Sequence, residues 1–362
     1  MSDNNTIFLV AGGTGGHVFP ALALAEELLT RGFDVICLTD KRGEKFFRNT
    51  NLVPYVIDSS AWAGDWKGKL KAGLKIVHGM IQSFELLREF SPVAVVGFGG
   101  YPSFPSVKAA QLLKIPTALH EQNAVYGRAN RQLSDKANAI AISFKQTKLL
   151  PDSMKNKIIY TGNPIRSNFT TDIRPYQRLG QDAAINLLVF GGSQGSSLFS
   201  NVLPEAIERL PEELKKRLHI AQQTRLEDVD SVKSAYHKLG VSVQVQPFFS
   251  DMLKFYQKSH LIISRAGAST VTEVTALGRP AIFVPLASSL DGDQAQNATQ
   301  ILEQKAGWVI PEKEFTGETL AKKLQELLTN TEQLEQAAQA AATLGKPDAA
   351  ARLANVITKI IK

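Results

Sequence analysis

The feature that most constrains the fold is a strand-like apolar run followed at once by a glycine loop, and it occurs twice. Residues 6–11 form the first apolar run and residues 12–16 the loop after it; residues 185–190 and 191–195 repeat the arrangement. Each loop leads into a helical pattern of apolar residues. A chain that begins both halves with strand, glycine loop and helix is predicted to fold as two similar α/β domains.

Further apolar runs continue this pattern, and helical patterns separate most of them. The runs are continuous rather than alternating, which is typical of parallel strands buried on both faces. We therefore predict two doubly wound parallel sheets with a cleft between them, where the carboxyl ends of the strands bind ligands. The further strands are predicted at 34–39, 93–96, 117–119, 139–142 and 158–160, and at 241–245, 261–264 and 281–284.

The length of 362 residues suits two domains. The turn at 162–164 and the polar stretch 170–182 have the composition of a linker. We predict an N-terminal domain at 1–165 and a C-terminal domain at 166–341. The C-terminal helix, about 342–362, is expected to pack back on the first domain.

The formal charge is +7, which is too mild to indicate a nucleic-acid partner. The excess lies in residues 1–165, which hold 19 Lys+Arg and 13 Asp+Glu, whereas residues 166–362 hold 22 and 21. The single cysteine, Cys37, leaves no disulfide framework and no cysteine-based metal site within the chain. The apolar stretch near the N-terminus is too short for a signal-peptide core, and no run is long enough to span a membrane. We expect a cytoplasmic protein, with binding to a membrane surface left open.

The first glycine loop ends in His17 and favours close approach of the backbone to a ligand. Val18 replaces the third glycine of a dinucleotide fingerprint, and no Walker A motif occurs, which disfavours nicotinamide and P-loop enzymes. The following helix is expected to begin near residues 19–20. From position alone, His17 is equally a structural histidine or a general base with a pKa near neutrality.

A third cluster, residues 264–273, follows a predicted strand and enters a helix. Its small residues expose a helix N-terminus, which suits a diphosphate, and Glu273 one turn inside can accept both hydroxyls of a ribose. The alternative is that Ser269 or Thr270 caps the helix and Glu273 completes a capping box.

Taken together, six motifs in order resemble glycosyltransferase family 28, and within it the bacterial peptidoglycan N-acetylglucosaminyltransferases. The resemblance covers almost the whole chain and implies a GT-B fold, two Rossmann-like domains with a deep cleft. It implies inverting transfer of N-acetylglucosamine from UDP-N-acetylglucosamine to undecaprenyl-pyrophosphoryl-MurNAc-pentapeptide (lipid I), which gives lipid II through a new β-1,4 bond. It implies no cofactor and no metal held by the protein. The motifs lie at 12–17, 120–123, 162–166, 191–195, 264–268 and 294–298.

The resemblance also assigns roles. His17 would be the base that deprotonates the acceptor hydroxyl, with Glu121 as a rival base or a partner, and Tyr101 and His120 would line the same cleft. Gln294 and Asn297 would read the sugar hydroxyls. The other donor-binding positions would be Thr14, Gly15, Gly16, Asn123, Arg166, Ser193, Phe249, Ala268, Ser269, Thr270, Val271, Thr272 and Glu273.

One departure from the family is Asp293, which stands where His or Gln is usual. It creates an Asp-x-Asp with Asp291, a pattern that binds a divalent metal in the other large glycosyltransferase class, although a solvated turn is the favoured reading here. Two rival functions remain open: another GT-B enzyme such as a UDP-N-acetylglucosamine 2-epimerase, and a non-catalytic nucleotide-sugar-binding subunit.

The segment 62–81 combines tryptophan, aliphatic residues and lysines with helical spacing. An ordinary helix packed in the core is the alternative, but a membrane-bound acceptor favours an interfacial helix on anionic lipid. The resemblance therefore implies a peripheral enzyme on the cytoplasmic face of the bacterial inner membrane, with no nucleic-acid partner, and it allows partners among the cell-wall synthesis proteins. The predicted membrane residues are Trp62, Trp66, Lys67, Lys69, Leu70, Lys71, Leu74, Lys75, Val77 and Ile81.

Overall fold

The computed structural model describes residues 5–48, 50–60, 65–180, 182–191 and 196–361, with the backbone alone of Lys67, Lys69 and Leu290. The chain divides into two compact units. Unit 1 comprises Met1–Ser167 and Lys346–Lys362, and unit 2 comprises Asn168–Gly345. The division thus falls after residue 167 rather than after 165, and the chain returns to unit 1 at residue 346 rather than at 342.

The strands and helices of the described residues alternate along most of the chain. The strands are β1 (Thr6–Val10), β2 (Asp34–Thr39), β3 (Tyr55–Val56), β4 (Ala94–Gly97), β5 (Thr117–Glu121), β6 (Ala139–Ile142), β7 (Ile158–Tyr160), β8 (Ile185–Phe190), β9 (Leu218–Gln223), β10 (Ser242–Gln246), β11 (Leu261–Ser264), β12 (Ala281–Phe283) and β13 (Trp308–Val309). The helices are α1 (Gly15–Thr30), α2 (Trp66–Phe90), α3 (Ser103–Leu112), α4 (Arg128–Leu133), α5 (Asn168–Thr171), α6 (Ser197–Glu208), α7 (Glu212–Arg217), α8 (Val229–Lys238), α9 (Met252–Lys258), α10 (Ala268–Ala276), α11 (Asp293–Glu303), α12 (Gly317–Thr329), α13 (Thr331–Leu344) and α14 (Ala349–Ile361).

Unit 1 is built on a parallel sheet whose seven described strands run in the order β3-β2-β1-β4-β5-β6-β7. Its central strands are buried on both faces, because helices cover the sheet from two sides. The strand order reverses between β1 and β4. In open α/β sheets, the crevice beyond the carboxyl ends of such a strand pair is the usual ligand site.

The last helix, α14, belongs to unit 1. Leu353 and Ile357 are fully buried in the same hydrophobic cluster as Leu24 and Leu28 of α1. Arg31 of α1 adds polar contacts, since its guanidinium donates to the side chain of Asn355 at 2.7 Å and to a carbonyl of α14 at 3.1 Å. Residues 342–344 end helix α13 in unit 2, so the returning helix is shorter than predicted.

Unit 2 repeats the plan with a parallel sheet whose six described strands run in the order β10-β9-β8-β11-β12-β13. Here the order reverses between β8 and β11, so the loops after those two strands flank the crevice. Together the two sheets confirm the predicted doubly wound α/β architecture of two similar domains.

Helix α1 begins at Gly15, so the prediction of a start near residues 19–20 is wrong. Thr14 is extended and serves as the N-cap, and Gly15 and Gly16 already form the first turn. Pro20 is therefore inside the helix. The cap lies six residues before this proline. The sequence does not indicate it, because glycine is a poor helix former and a run of glycines is typical of a loop.

Strands β3, β9 and β13 were missed. Two of them are two-residue strands at the edges of their sheets, too short for a periodicity signal. The third, β9, mixes polar residues with apolar ones because it lies next to the edge strand β10.

Candidate functional site

The loop after β1 is shaped by one buried carboxylate. Asp40, at the end of β2, accepts the N–H of Gly13 at 2.8 Å and the N–H of Gly43 at 3.0 Å. Arg42 donates its Nε–H to the same carboxylate at 2.8 Å. Gly13 needs its positive φ of +82°, which L side chains rarely adopt. Asp40 and Arg42 were not singled out in the sequence, although they follow a strand that neighbours β1.

His17 lies in the first turn of α1, and its imidazole packs against the backbone of Gly99 and Gly100 after β4. Both glycines have positive φ, and a Cβ at either would lie 3.6 Å from the ring. Thr14 Oγ1 is 3.1 Å from His17 Nδ1. The loops after β1 and β4 therefore meet at this ring, beyond the carboxyl ends of the strand pair where the order reverses.

The pKa of His17 is lowered from 6.5 to about 4. Burial is the largest cause, and the Arg42 cation lowers the pKa further, whereas the Asp40 carboxylate and the Gly12 carbonyl raise it. His17 is therefore neutral near pH 7. The neutral ring donates one N–H to the Gly12 carbonyl, which leaves its other nitrogen as a proton acceptor.

His120 is fully buried at the end of β5. Its Nδ1 accepts from the Gln122 amide at 3.0 Å, so its Nε2–H donates to the Gly162 carbonyl at 3.2 Å. Burial lowers its pKa to about 4, with a further lowering by His17. His120 thus joins β5 to the turn at residue 162. Tyr101 and His120 were both predicted to line the cleft, and of the two only Tyr101, which is 38% exposed, is accessible.

Glu121 is also buried, and its carboxylate is occupied. One oxygen accepts from the Gly127 N–H at 2.8 Å and the Asn130 amide at 2.9 Å, and the other accepts from the Asn123 N–H at 3.1 Å. Burial raises its pKa, and these donors oppose the rise. This geometry holds the segment before α4 in place, which is a supporting position rather than that of an exposed base.

Arg166 is the last predicted donor residue of unit 1. Its guanidinium lies over the ring of Phe19, 5.2 Å from the centroid, and Phe19 is on the first turns of α1. Gly15 also contacts this ring, because a Cβ there would come within 2.7 Å of it. The arginine is thereby held beside the glycine loop.

In unit 2, helix α10 presents its N-terminus beyond the carboxyl end of β11. Gly267 is the N-cap, with an extended backbone, so Ser269 and Thr270 are not the cap and the capping-box alternative is wrong. The Ser269 hydroxyl has no hydrogen-bond partner among the residues that the structure describes. Glu273 is half-buried in the second turn, and its Oε2 accepts from the Tyr256 hydroxyl at 3.0 Å.

Gln294 and Asn297 both bind the backbone of Ala266. Gln294 Oε1 accepts from the N–H groups of Ala266 and Leu286, at 3.2 and 3.1 Å. Asn297 is fully buried and donates to the Ala266 carbonyl at 3.0 Å. These two amides therefore brace the loops after β11 and β12, and of the two only Gln294 is partly exposed.

Arg265 is a further brace that the sequence did not indicate. It is nearly buried and donates to Glu312 at 3.1 Å, to the Val284 carbonyl at 3.2 Å and to Ser196 Oγ at 3.3 Å. It thus ties the end of β11 to the end of β12 and to the residue that precedes α6.

The remaining predicted positions are placed as follows. Phe249 is buried, with its ring 4.3 Å from that of Phe255.

Asp293 begins α11 and accepts the N–H of Gln294, and burial raises its pKa. In the described ranges, no group of three or more His, Cys, Asp or Glu residues could hold a metal ion. Ser193 and Trp62 lie outside the described residues.

Helix α2 carries a row of large apolar side chains that point away from unit 1. Their exposed fractions are 70% for Trp66, 60% for Leu70, 66% for Leu74, 55% for Val77 and 51% for Ile81. The alternative in which this face packs in the core is therefore wrong. Lys71 and Lys75 on the same helix are exposed as well.

Small residues line part of the opposite face of α2. Ala72 and Ser83 are buried there, and Ser83 Oγ is 2.8 Å from Ser106 Oγ of α3. A Cβ at Gly79 would collide with the Asp58 carbonyl. Small residues let α2 lie close to its neighbours, which leaves the large ones outward. No helix in the described part of the chain is both long and apolar enough to cross a membrane.

Two family models match the chain. Residues 7–142 match the N-terminal domain of glycosyltransferase family 28, and residues 186–353 match its C-terminal domain. These ranges contain the glycine loop of unit 1 and the α10 helix of unit 2, respectively.

Two relatives carry the name UDP-N-acetylglucosamine–N-acetylmuramyl-(pentapeptide) pyrophosphoryl-undecaprenol N-acetylglucosamine transferase. The protein from Rhodospirillum centenum is 45% identical over 353 residues, which is 97% of this chain and 93% of the relative. The protein from Brucella abortus is 44% identical over 368 residues, which is 99% of this chain and 95% of the relative.

Solved structures give the same picture. The crystal structure of Acinetobacter baumannii MurG is 32% identical, with a TM-score of 0.80 over 98% of this chain and 99% of that one. A UDP-N-acetylglucosamine 2-epimerase structure from Listeria monocytogenes has a TM-score of 0.70 over 98% and 96% of the two chains, but it is only 17% identical and shares the fold alone.

Proposed function

The chain belongs to glycosyltransferase family 28. We propose that its two units have different roles in one reaction: unit 2 binds the donor, whereas unit 1 binds the acceptor and supplies the base. The protein is an N-acetylglucosamine transferase that moves the sugar from UDP-N-acetylglucosamine to undecaprenyl-pyrophosphoryl-MurNAc-pentapeptide and so makes lipid II. The observation that carries this division is His17, a neutral imidazole in the first turn of α1, beyond the carboxyl end of β1.

In the proposed step, the acceptor hydroxyl oxygen attacks the anomeric carbon of N-acetylglucosamine. The bond from that carbon to UDP breaks, UDP leaves with the electron pair, and the hydroxyl proton passes to His17. Attack from the face opposite to UDP inverts the anomeric centre. A positioned base of this kind contributes roughly 10²–10⁴ in rate.

A pKa of about 4 is low for a base that works near neutral pH. The acceptor itself carries an anionic diphosphate, and an anion near the imidazole favours its protonated form. A diphosphate seated against the glycine loop would therefore raise the pKa of His17 towards the useful range. Thr14 belongs to this loop, and the Arg42 guanidinium would lie 3.3 Å from a Cβ at Gly13, so both side chains are beside that seat. Glu121 supports the neighbouring segment before α4.

The donor is proposed to bind along α10. The free N–H groups of its first turn and the Ser269 hydroxyl suit the diphosphate, and they stabilise the departing UDP without a cation. Glu273 suits the ribose hydroxyls, and Gln294 suits the sugar, whereas the burial of Asn297 favours a bracing role. The further donor positions of unit 2 remain those that the family motifs give: Ser193, Phe249, Ala268, Thr270, Val271 and Thr272. The motifs also give donor contacts at Asn123 and Arg166 of unit 1, which add to the site in unit 2. The glycine loop with Thr14, Gly15 and Gly16 is proposed here for the acceptor diphosphate instead of the donor.

The exposed face of α2 is proposed to bind the cytoplasmic surface of the inner membrane, where a lipid-linked acceptor resides. Tryptophan and aliphatic side chains suit the boundary between headgroups and acyl chains, and lysines suit anionic lipid. Five large apolar side chains on one helix face are each at least half exposed. Such a patch on a protein surface usually marks a site that binds a partner or a membrane.

The test is to incubate the full chain with UDP-N-acetylglucosamine and a lipid I analogue and to analyse both the nucleotide and the lipid. We expect UDP release that depends on the acceptor, together with a lipid-linked disaccharide. Epimerised donor, or no turnover by the isolated chain, would contradict the proposal and favour an epimerase or a non-catalytic subunit, respectively.

A further inference from the structure

A buried tyrosine stands directly behind the carboxylate proposed to bind ribose. Tyr256 on α9 is 1% exposed, and its hydroxyl donates to Glu273 Oε2 at 3.0 Å. Neither the sequence motifs nor the family resemblance assigned a role to this residue. The contact joins α9 to α10, two helices that are otherwise separated by strand β11.

The Tyr256 side chain is held on several sides. Its ring makes edge contacts with Phe169 and Phe190, with centroids 5.7 and 5.6 Å apart. Its carbonyl accepts from Arg279 Nε at 3.0 Å, and this guanidinium also binds the carbonyls of neighbouring residues. The hydroxyl therefore has a fixed position from which to orient the carboxylate.

A carboxylate on a glutamate has three side-chain torsions to settle before it can meet two ribose hydroxyls at once. An ionised carboxylate has about four lone-pair positions, so one bond from a tyrosine leaves acceptor capacity for a ligand. A bond to a fixed donor selects one orientation in advance, and pre-organisation of this kind reduces the entropic cost of binding.

We propose that Tyr256 is a positioning residue that orients Glu273 for the two ribose hydroxyls and thereby sets the selectivity for ribonucleotide over 2′-deoxyribonucleotide. The inference rests on the proposed contact of Glu273 with the ribose. Tyr256 does not touch the nucleotide in this account and acts through Glu273 alone.

The experiment measures the dissociation constants of UDP and 2′-deoxy-UDP for the full chain and for Tyr256→Phe, by calorimetry. Phenylalanine keeps the ring contacts and removes only the hydroxyl. Glu273 can still reach the ribose hydroxyls without the tyrosine bond, but it must then be ordered on binding, so the expected loss is modest. We expect UDP binding to weaken about three- to tenfold while 2′-deoxy-UDP binding changes less than about twofold.

Tyr236→Phe is the matched control. Tyr236 is also fully buried in unit 2, and its hydroxyl donates to Gln222 Oε1 at 2.6 Å, a residue outside the proposed site. The loss of one buried tyrosine hydroxyl is thus common to both variants. The ratio of the two dissociation constants should be unchanged in the control.

Glu273→Gln separates this inference from the proposed function. If that variant keeps the preference for UDP, the ribose contact of Glu273 is wrong. If it loses the preference while Tyr256→Phe keeps it, the ribose contact stands and the positioning role of Tyr256 is overturned. Equal weakening of both nucleotides by Tyr256→Phe would mean general disruption of unit 2 and would also overturn it.

Discussion

At the scale of single residues, the site depends on partners that lie behind the recognisable motifs. The glycine loop owes its shape to Asp40, and the electrostatic environment of His17 depends on Asp40 and Arg42. Motif reasoning singled out the residues that are proposed to face a ligand, because those have a fixed spacing in sequence. It could not find Asp40 or Tyr256, since their contacts join residues that are 27 and 17 positions apart.

The pKa of His17 predicts two different acid limbs. The profile of kcat/KM reports the free enzyme, so its limb should lie near pH 4, where His17 becomes protonated and loses its function as a base. The profile of kcat reports the complex, in which the acceptor diphosphate raises the pKa, so its limb should lie at higher pH. Steady-state rates between about pH 4 and 8 measure both.

The variant Arg42→Gln tests whether His17 is the group that titrates in these acid limbs. Arg42→Gln removes the cation that lowers the pKa of His17, so the kcat/KM limb should move to higher pH. Limbs for kcat and kcat/KM that coincide near pH 6.5, unmoved by this variant, would mean that a group other than His17 titrates.

At the scale of elements, helix α2 shows what periodicity can and cannot tell. The spacing of Trp66, Leu70 and Leu74 correctly predicted a helix with one apolar face. It could not decide whether that face is inside or outside, because both choices have the same period. The decision is made by the opposite face, where Gly79 and Ser83 allow the close packing that large residues would prevent.

The exposed face of α2 predicts vesicle binding. The double variant Leu70→Ser/Leu74→Ser should weaken partitioning to vesicles rich in anionic lipid by about tenfold or more, because two largely exposed leucines lose their apolar contact with the bilayer. Sedimentation of the protein with vesicles measures this.

Replacing Lys67, Lys69, Lys71 and Lys75 by Glu should also weaken partitioning to these vesicles, in a salt-dependent way.

Leu226→Ser/Leu302→Ser is the control for this measurement, since those leucines are 75% and 51% exposed in unit 2. It should leave partitioning unchanged. If the α2 variant and the control bind vesicles equally well, the proposal that α2 is the membrane contact is wrong.

At the scale of the whole molecule, the charge separates more sharply by unit than by halves of the sequence. Unit 1 holds 24 Lys+Arg and 14 Asp+Glu, and unit 2 holds 17 and 20. The difference arises because Arg166 and the basic segment 346–362 belong to unit 1. The sequence predicted the repeated α/β plan because buried parallel strands are continuous apolar runs. The exact return point of the chain was not predictable, since helices α13 and α14 share one alanine-rich composition.

The central claim is that unit 1 supplies the base and unit 2 binds the donor. The most direct test is to measure, for His17→Ala, both the turnover with a lipid I analogue and the dissociation constant of UDP-N-acetylglucosamine. We predict that turnover falls by roughly 10²–10⁴ while donor binding stays within about twofold of the unaltered chain. Near-normal turnover in this variant would contradict the account and move the base to Glu121 or to another residue.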